Sequence, residues 1–322
     1  LIHFIFSDDN NNRLILVGDT AQLPPVGQVE SPALMTDNLI TLHQLTVVDW
    51  ELTEVMRQSL NSGILKNATA LRNQISDKKC TFKFQTAGFN DIFKMSGERF
   101  EEGLRYAYDK NGIENTAIIC RSNRSAVQYN HFIRNTILFF DNEIDVGDYL
   151  MIVKNNYYYL SDDSPAGFLA NGDFVEVMRV LSFEERFGFR FSTLELRLID
   201  YPQQEKFEAL VLLETLHSSH TSLSDERQKE LHNMIMEENS KEDQKQSKKM
   251  IREDPYFNAL QVKFAYALTC HKSQGGQWNT VFVDQGYLKP EMIDISYMRW
   301  LYTAVTRAKQ ELFLVNFSPN FF

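Results

Sequence analysis

Arg13-Leu14-Ile15-Leu16-Val17-Gly18-Asp19-Thr20-Ala21-Gln22-Leu23-Pro24-Pro25-Val26-Gly27 sets a short apolar run directly against a turn. Such a run, bounded by turn residues, predicts a buried parallel strand over 13–17. The strand ends at Gly18-Asp19, and Pro24-Pro25 forbid continuation into a helix. Asp19 and Gln22 then fall on a loop at a strand's carboxyl end, where open α/β sheets bind ligands.

Outward from this stretch, Ile64, Leu65, Ala68, Leu71 and Ile75 recur at helical spacing. Phe100, Leu104 and Ala107 mark a second helix, with Asn111-Gly112 as its stop. Ala117-Ile118-Ile119-Cys120 reads as a buried strand, followed by a helix from about Arg124 to Thr136. Strands alternating with helices predict an α/β layer. Near 145 the pattern changes. Segments 146–153, 174–180 and 193–199 read as strands, with Asn171-Gly172-Asp173 as a turn. This predicts an all-β insert, small enough for an SH3-like barrel. The polar stretch 222–252, with scattered Leu223, Leu231, Met234, Met250 and Ile251, predicts an exposed helical excursion. Alternation resumes with Val281-Phe282-Val283, a helix ending near Gln310, and Leu312-Phe313-Leu314-Val315.

The chain has 322 residues, 43% of them hydrophobic, which is ample for two or three packed domains. No apolar run approaches bilayer-spanning length, so no membrane role is expected. Leu1-Ile2-His3-Phe4-Ile5-Phe6 has neither an initiating Met nor a basic flank, and reads as a cut inside a hydrophobic element. Cys80, Cys120 and Cys270 are too widely spaced for a disulfide framework or metal cluster, which favours a reducing, cytoplasmic setting. A net charge of −10 weighs against nucleic acid as a partner. Acidic residues crowd 225–254, however, and leave room for a positive groove elsewhere.

Three further segments carry chemistry. In Tyr302-Thr303-Ala304-Val305-Thr306-Arg307-Ala308-Lys309, the residues Leu301, Ala304, Val305 and Ala308 form a buried stripe. Arg299, Thr303 and Arg307 occupy another face, so Arg307 is expected to project toward a surface or cleft. Thr269-Cys270-His271-Lys272-Ser273-Gln274-Gly275 gathers hydroxyls and amides suited to backbone phosphates. A zinc site at Cys270-His271 lacks further ligands at the required spacing, so no metal ligands are assigned. Cys120-Arg121-Ser122-Asn123-Arg124 is a strand-to-helix turn in which Asn123 is either an N-cap or a ligand contact. Tyr157-Tyr158-Tyr159 suits either base stacking or core filling. His217 and His220 read as surface histidines.

In this order the segments 18–27, 269–275 and 302–309 resemble motifs III, V and VI of superfamily-1 DNA helicases, in the branch that includes RecD and Dda. Glu51-Leu52-Thr53-Glu54-Val55-Met56-Arg57-Gln58 resembles motif IV. The resemblance implies ATP with Mg2+ as cofactor, single-stranded DNA and duplex junctions as partners, and translocation typically 5′ to 3′. It assigns phosphate sensing to Gln22, phosphate contacts to Arg57 and Arg307, and support of the loop or hydrolysis site to Asp19. Gly18, Gln58, Gln274 and Gly275 fall on the nucleotide side. Gln277 stands where relatives usually carry an acidic ribose contact. DNA contacts fall on Thr269, His271, Ser273, Asn123 and Arg121. No Gly-x-x-x-x-Gly-Lys-[Ser/Thr] occurs, so the chain reads as the C-terminal part of a motor, inactive alone. The resemblance predicts a RecA-like remnant over 1–50 and a second RecA-like domain over 51–144 and 259–322. The SH3-like insert would span 145–202 and a charged excursion 203–258. Two other readings stay open: a noncatalytic assembly subunit of a recombination exonuclease, with recombination or repair partner subunits, and an RNA-directed helicase.

Overall fold

The computed structural model describes residues 2–7, 12–52, 61–161, 163–238 and 253–322. Its described helices of eight or more residues are α1 (Thr36–His43), α2 (Gly63–Ser76), α3 (Phe100–Asn111), α4 (Asn123–Phe132), α5 (Asp225–Glu238) and α6 (Ile295–Val305). Its strands are β1 (Ile92–Met95), β2 (Thr116–Cys120), β3 (Tyr149–Ile152), β4 (Phe174–Arg186) and β5 (Phe189–Leu198). The series continues with β6 (Phe207–Leu212), β7 (Leu260–Phe264), β8 (Ala267–Thr269), β9 (Trp278–Asp284) and β10 (Ala308–Val315).

The expected α/β layer with an inserted barrel is what forms. Five parallel strands run β1-β10-β9-β2-β8, and β3 to β7 close a barrel. Every residue of β2 is buried, because it lies inside the sheet between β9 and β8. The α3 stripe of Phe100, Leu104 and Ala107 packs into the core, and the helix stops at Gly112 with φ +80°. The long β4–β5 hairpin turns on Phe187 and Gly188, both at positive φ.

Several expectations are corrected. Residues 13–17 form no strand: no described strand pairs with them, and Ile15 and Val17 are 83% and 89% exposed. The barrel is wider than 145–202, since β6 and β7 close it from within and beyond the predicted excursion. Nor is α5 a solvated excursion. Its Leu231 and Ile235 are buried against Phe189, Phe191, Leu210 and Leu212, so its polar sequence covers only the outer face. The last helix ends at Val305 rather than near Gln310, and β10 begins at Ala308. No described helix is long and apolar enough to cross a membrane.

The barrel and the sheet are joined where β7 passes into β8 through Ala265-Tyr266. After α4 the chain winds one π-helical stretch, Ile133–Ile137, which turns Arg134 into this junction. Arg134 donates from Nε and Nη2 to the two Asp148 carboxylate oxygens (2.8 and 2.9 Å), and Tyr266 Oη donates to Asp148 Oδ1 (2.9 Å). Phe264 lies under the guanidinium, 4.3 Å from ring centre to Cζ. Burial pushes the Asp148 carboxyl upward, so its ionised form depends on these donors. Arg134→Met is expected to cost about 3–5 kcal/mol by leaving a buried carboxylate without its cation, read as a shift of the urea midpoint. A loss within about 1 kcal/mol, the range of a surface pair, would contradict the junction's role.

Candidate nucleotide and nucleic-acid cleft

The loop beginning at Gly18 lies against α6 and the turn after β8. Gly18 packs beside the Leu34 side chain, whose Cδ1 would lie 2.6 Å from a Cβ at that position. The backbone of Leu23 is held from both sides: its N–H donates to Thr303 Oγ1 (2.9 Å), and its carbonyl accepts from Gln274 Nε2 (2.9 Å). Segments that are remote in the chain, carrying three of the sequence signals, therefore meet at one residue. Gln22, next to this clamp, lines a cavity of about 110 Å3 with Thr20, Glu30, Ser31 and Arg299.

Asp19 is committed to the protein. Its carboxylate accepts from Arg72 Nη1 (2.7 Å), Tyr302 Oη (2.8 Å) and the N–H of Ala21 (3.0 Å). It supports the loop and has little capacity left for an ion. Arg307 differs from expectation: it sits in the turn between α6 and β10 and is 3% exposed. Its Nε donates to Thr303 O (3.0 Å), Nη1 to Gly276 O (3.2 Å) and Nη2 to Thr306 Oγ1 (3.1 Å). Because α6 ends at Val305, helical spacing no longer places Arg307, and its guanidinium turns inward onto carbonyls. Burial pushes the Cys270 thiol up, and the Arg307 charge partly opposes that shift.

Within 269–275, Gly275 has φ +86°, a conformation that favours glycine. Ser273 is fully buried and donates to Cys270 O (2.9 Å), which stabilises its own turn and removes it from any surface contact. Gln277 is exposed. His271 is also exposed, its pKa lowered by partial desolvation. Arg57 and Gln58 lie outside the described residues.

Thr269, at the end of β8, and Asn123, at the start of α4, line one narrow cleft of about 30 Å3 with Lys263 and Lys272. Ser122, not Asn123, caps α4, accepting from Ser125 N at 3.1 Å, which leaves the Asn123 side chain on the cleft. Burial lowers the pKa of both lysines, Lys263 to about 8 with help from the neighbouring Lys272. Arg121 is placed elsewhere: it donates to Tyr287 O (2.9 Å) and stacks over Tyr297 and Trp300. Tyr157 is 70% exposed and stacks on Phe168, whereas Tyr159 is half-buried with its hydroxyl on Leu210.

Sequence reasoning missed Arg72, Lys263 and Lys272. Lys272 lay inside a quoted segment. Lys263 interrupts a buried strand, which was its only signal, and nothing marked Arg72. His217 was misread as a surface residue. It stacks on His131 of α4, 4.7 Å between ring centres, with Nδ1 3.2 Å from His131 Nε2. His220 lies exposed nearby.

Residues 264–315 match the family described as the UvrD-like helicase C-terminal domain. An uncharacterized protein of Acanthamoeba polyphaga mimivirus is 25% identical over 93% of this chain and 68% of its own length. Among solved structures, Candida albicans Pif1 helicase overlaps 83% of this chain at a TM-score of 0.41 and 13% identity. Bacteroides Pif1 bound to ssDNA overlaps 98%, also at 0.41 and 13%. Superpositions this loose carry no functional weight. The chain spans 56% and 65% of those two proteins.

Burial lowers the pKa of His217 to about 4 from an ordinary 6.5, with the charges of His131, Arg134, Arg190 and Lys263 adding to the effect. A neutral imidazole is therefore favoured on folding. The stabilisation is present above pH 6.5 and is lost as pH falls toward 4. The thermal midpoint is expected to drop across that window, and His217→Gln to flatten part of the drop. An unchanged profile in the variant would show that His217 does not titrate as its surroundings dictate.

Proposed function

We propose that this chain is the C-terminal part of an ATP-dependent DNA helicase that moves 5′ to 3′ on single strands and opens duplex. The observation that carries this reading is the clamp on Leu23. It brings the motif III, V and VI signals of the superfamily-1 resemblance to one backbone residue, and the helicase C-terminal match covers the two partners from motifs V and VI, Gln274 and Thr303. In this reading residues up to about 50 belong to a first RecA-like domain, and the parallel sheet is the second.

The residues present fit the outer end of a triphosphate better than they fit the ion. Asp19 is already engaged by Arg72 and Tyr302, so Mg2+ ligands would come from elsewhere in the full-length protein. Bound ATP would supply the phosphoryl-transfer chemistry. The Gln22 amide suits sensing, because it can donate to a phosphate oxygen while accepting from water. Arg307 would exchange its two backbone carbonyl partners for phosphate oxygens, as the charge spread over a transferring phosphoryl group favours. Arg57 belongs to the same set by resemblance. Thr269, Asn123, Lys263 and Lys272 would hold the strand, the hydroxyl and amide positioning its phosphates and the lysines neutralising them with the donors not already given to Thr215 O and Ser218 O (Lys263) and Asn171 Oδ1 (Lys272).

In the full-length protein, Arg307→Lys is expected to reduce DNA-stimulated ATP hydrolysis by about a hundredfold or more, with single-strand affinity retained below the variant's own melting temperature. Loss of strand affinity in the folded variant would place Arg307 in the wrong site. The 322-residue chain alone is expected to show no turnover. Full-length protein inert toward ATP would favour the assembly-subunit reading, and preferential stimulation by RNA would favour the RNA-directed one.

Single-strand binding by this chain, followed by anisotropy, is expected to weaken with salt. Lys263→Ala should flatten the slope of log K against log salt by about 0.7, the loss of one phosphate contact. Because the Lys263 charge is held below pH 8 and lost above it, wild-type affinity should fall between pH 7 and 9 and the variant should fall less. Matching slopes and profiles for the two proteins would remove Lys263 from the track.

A further inference from the structure

Arg72, on α2, lies in none of the segments that carry the helicase resemblance, yet its guanidinium touches three of them. Nη1 reaches Asp19 Oδ1 (2.7 Å) in the Gly18 loop and Tyr302 Oη (3.4 Å) on α6, and Nη2 reaches Glu51 Oε1 (3.1 Å), the first residue of the segment 51–58. Tyr302 Oη in turn donates to the other Asp19 oxygen (2.8 Å), which closes a three-membered ring of contacts. The planar fork of an arginine suits this task, since its separate nitrogens can serve two carboxylates in fixed directions, and a lysine point charge cannot.

The Glu51 arm is exposed and contributes little by itself. The Asp19 arm differs: the carboxylate is mostly buried and accepts from three donors, on α2, on α6 and in its own loop. Asp19 lies three residues before Gln22, and Leu23 is pinned just after it. Both flanks of Gln22 are therefore fixed to α2 and α6 and not to the exposed 13–17 stretch preceding the loop. We infer that Arg72 is a positioning residue that makes the Gly18–Gly27 loop travel with the parallel-sheet domain, so that displacement of α2 and α6 moves the Gln22 amide. This rests on the proposed function for its consequence in catalysis, but not for the coupling itself.

Two measurements separate these. In hydrogen exchange on this chain, Arg72→Gln is expected to speed exchange of peptides covering 19–29 by about tenfold, with the barrel peptides 149–198 unchanged. Tyr302→Phe removes a single hydroxyl and should produce a smaller acceleration confined to the same loop. If Arg72→Gln loosens the whole chain, the Tyr302→Phe result decides. Unchanged loop exchange in Tyr302→Phe, or in a folded Arg72→Gln, overturns the inference. In the full-length protein, Arg72→Gln should lower kcat of DNA-stimulated ATP hydrolysis about tenfold or more, as misplacement of a positioned group does, at an unchanged half-saturating strand concentration. Arg72→Lys, which keeps the charge but not the fork, should recover little of that loss. A rise in half-saturation with kcat intact, or full rescue by lysine, would also overturn it. A wild-type protein without ATP hydrolysis would refute the helicase reading, and loop exchange would then decide the coupling alone.

Discussion

The backbone of Leu23 has its N–H on a threonine hydroxyl of α6 and its carbonyl on a glutamine amide from the turn after β8. A partly buried backbone group without such partners is costly, so both bonds are firmly selected. Pro24-Pro25 stop the chain from satisfying them locally by helix formation. The loop must therefore find its partners at a distance. It finds them on Thr303, whose hydroxyl already donates to Arg299 O (2.8 Å) and so has a lone pair turned outward. Gln22 and Asp19 inherit their positions from this clamp and from the Asp19 ring of contacts.

The second constraint is the junction of sheet and barrel. Only Ala265 and Tyr266 separate β7 from β8, so Lys263 on the barrel and Thr269 on the sheet are fixed on one cleft. Arg134, Asp148 and Tyr266 hold that junction through a buried ionic cluster, which tolerates little change in relative orientation.

Much of the architecture was legible because periodicity and turn chemistry report local structure. The core stripes of α2 and α3, the buried β2 and the inserted β unit all carried that kind of signal. The failures share a cause, which is tertiary context. Residues 13–17 have a strand's composition, but no described neighbour supplies a ladder. Helical spacing placed Arg307 on a free face, but α6 stops at Val305 and the guanidinium folds back onto Thr303 O. Ser273 has the chemistry of a phosphate contact but spends its hydroxyl on its own turn. The strands β6 and β7 were read outside the barrel because closure is a long-range property. Arg72 carried no local signal at all, since one arginine on an amphipathic helix is unremarkable until its partners are seen.

The central claim is that Gln22 and Arg307 serve one phosphate-gripping cleft. A crystal structure of the full-length protein with ADP, fluoroaluminate and a short oligothymidine tests it most directly. The account predicts the Gln22 amide and the Arg307 guanidinium both within hydrogen-bond reach of the fluoroaluminate, with Arg307 released from Thr303 O and Gly276 O. Arg307 still bonded to those carbonyls beside an occupied nucleotide site would contradict it.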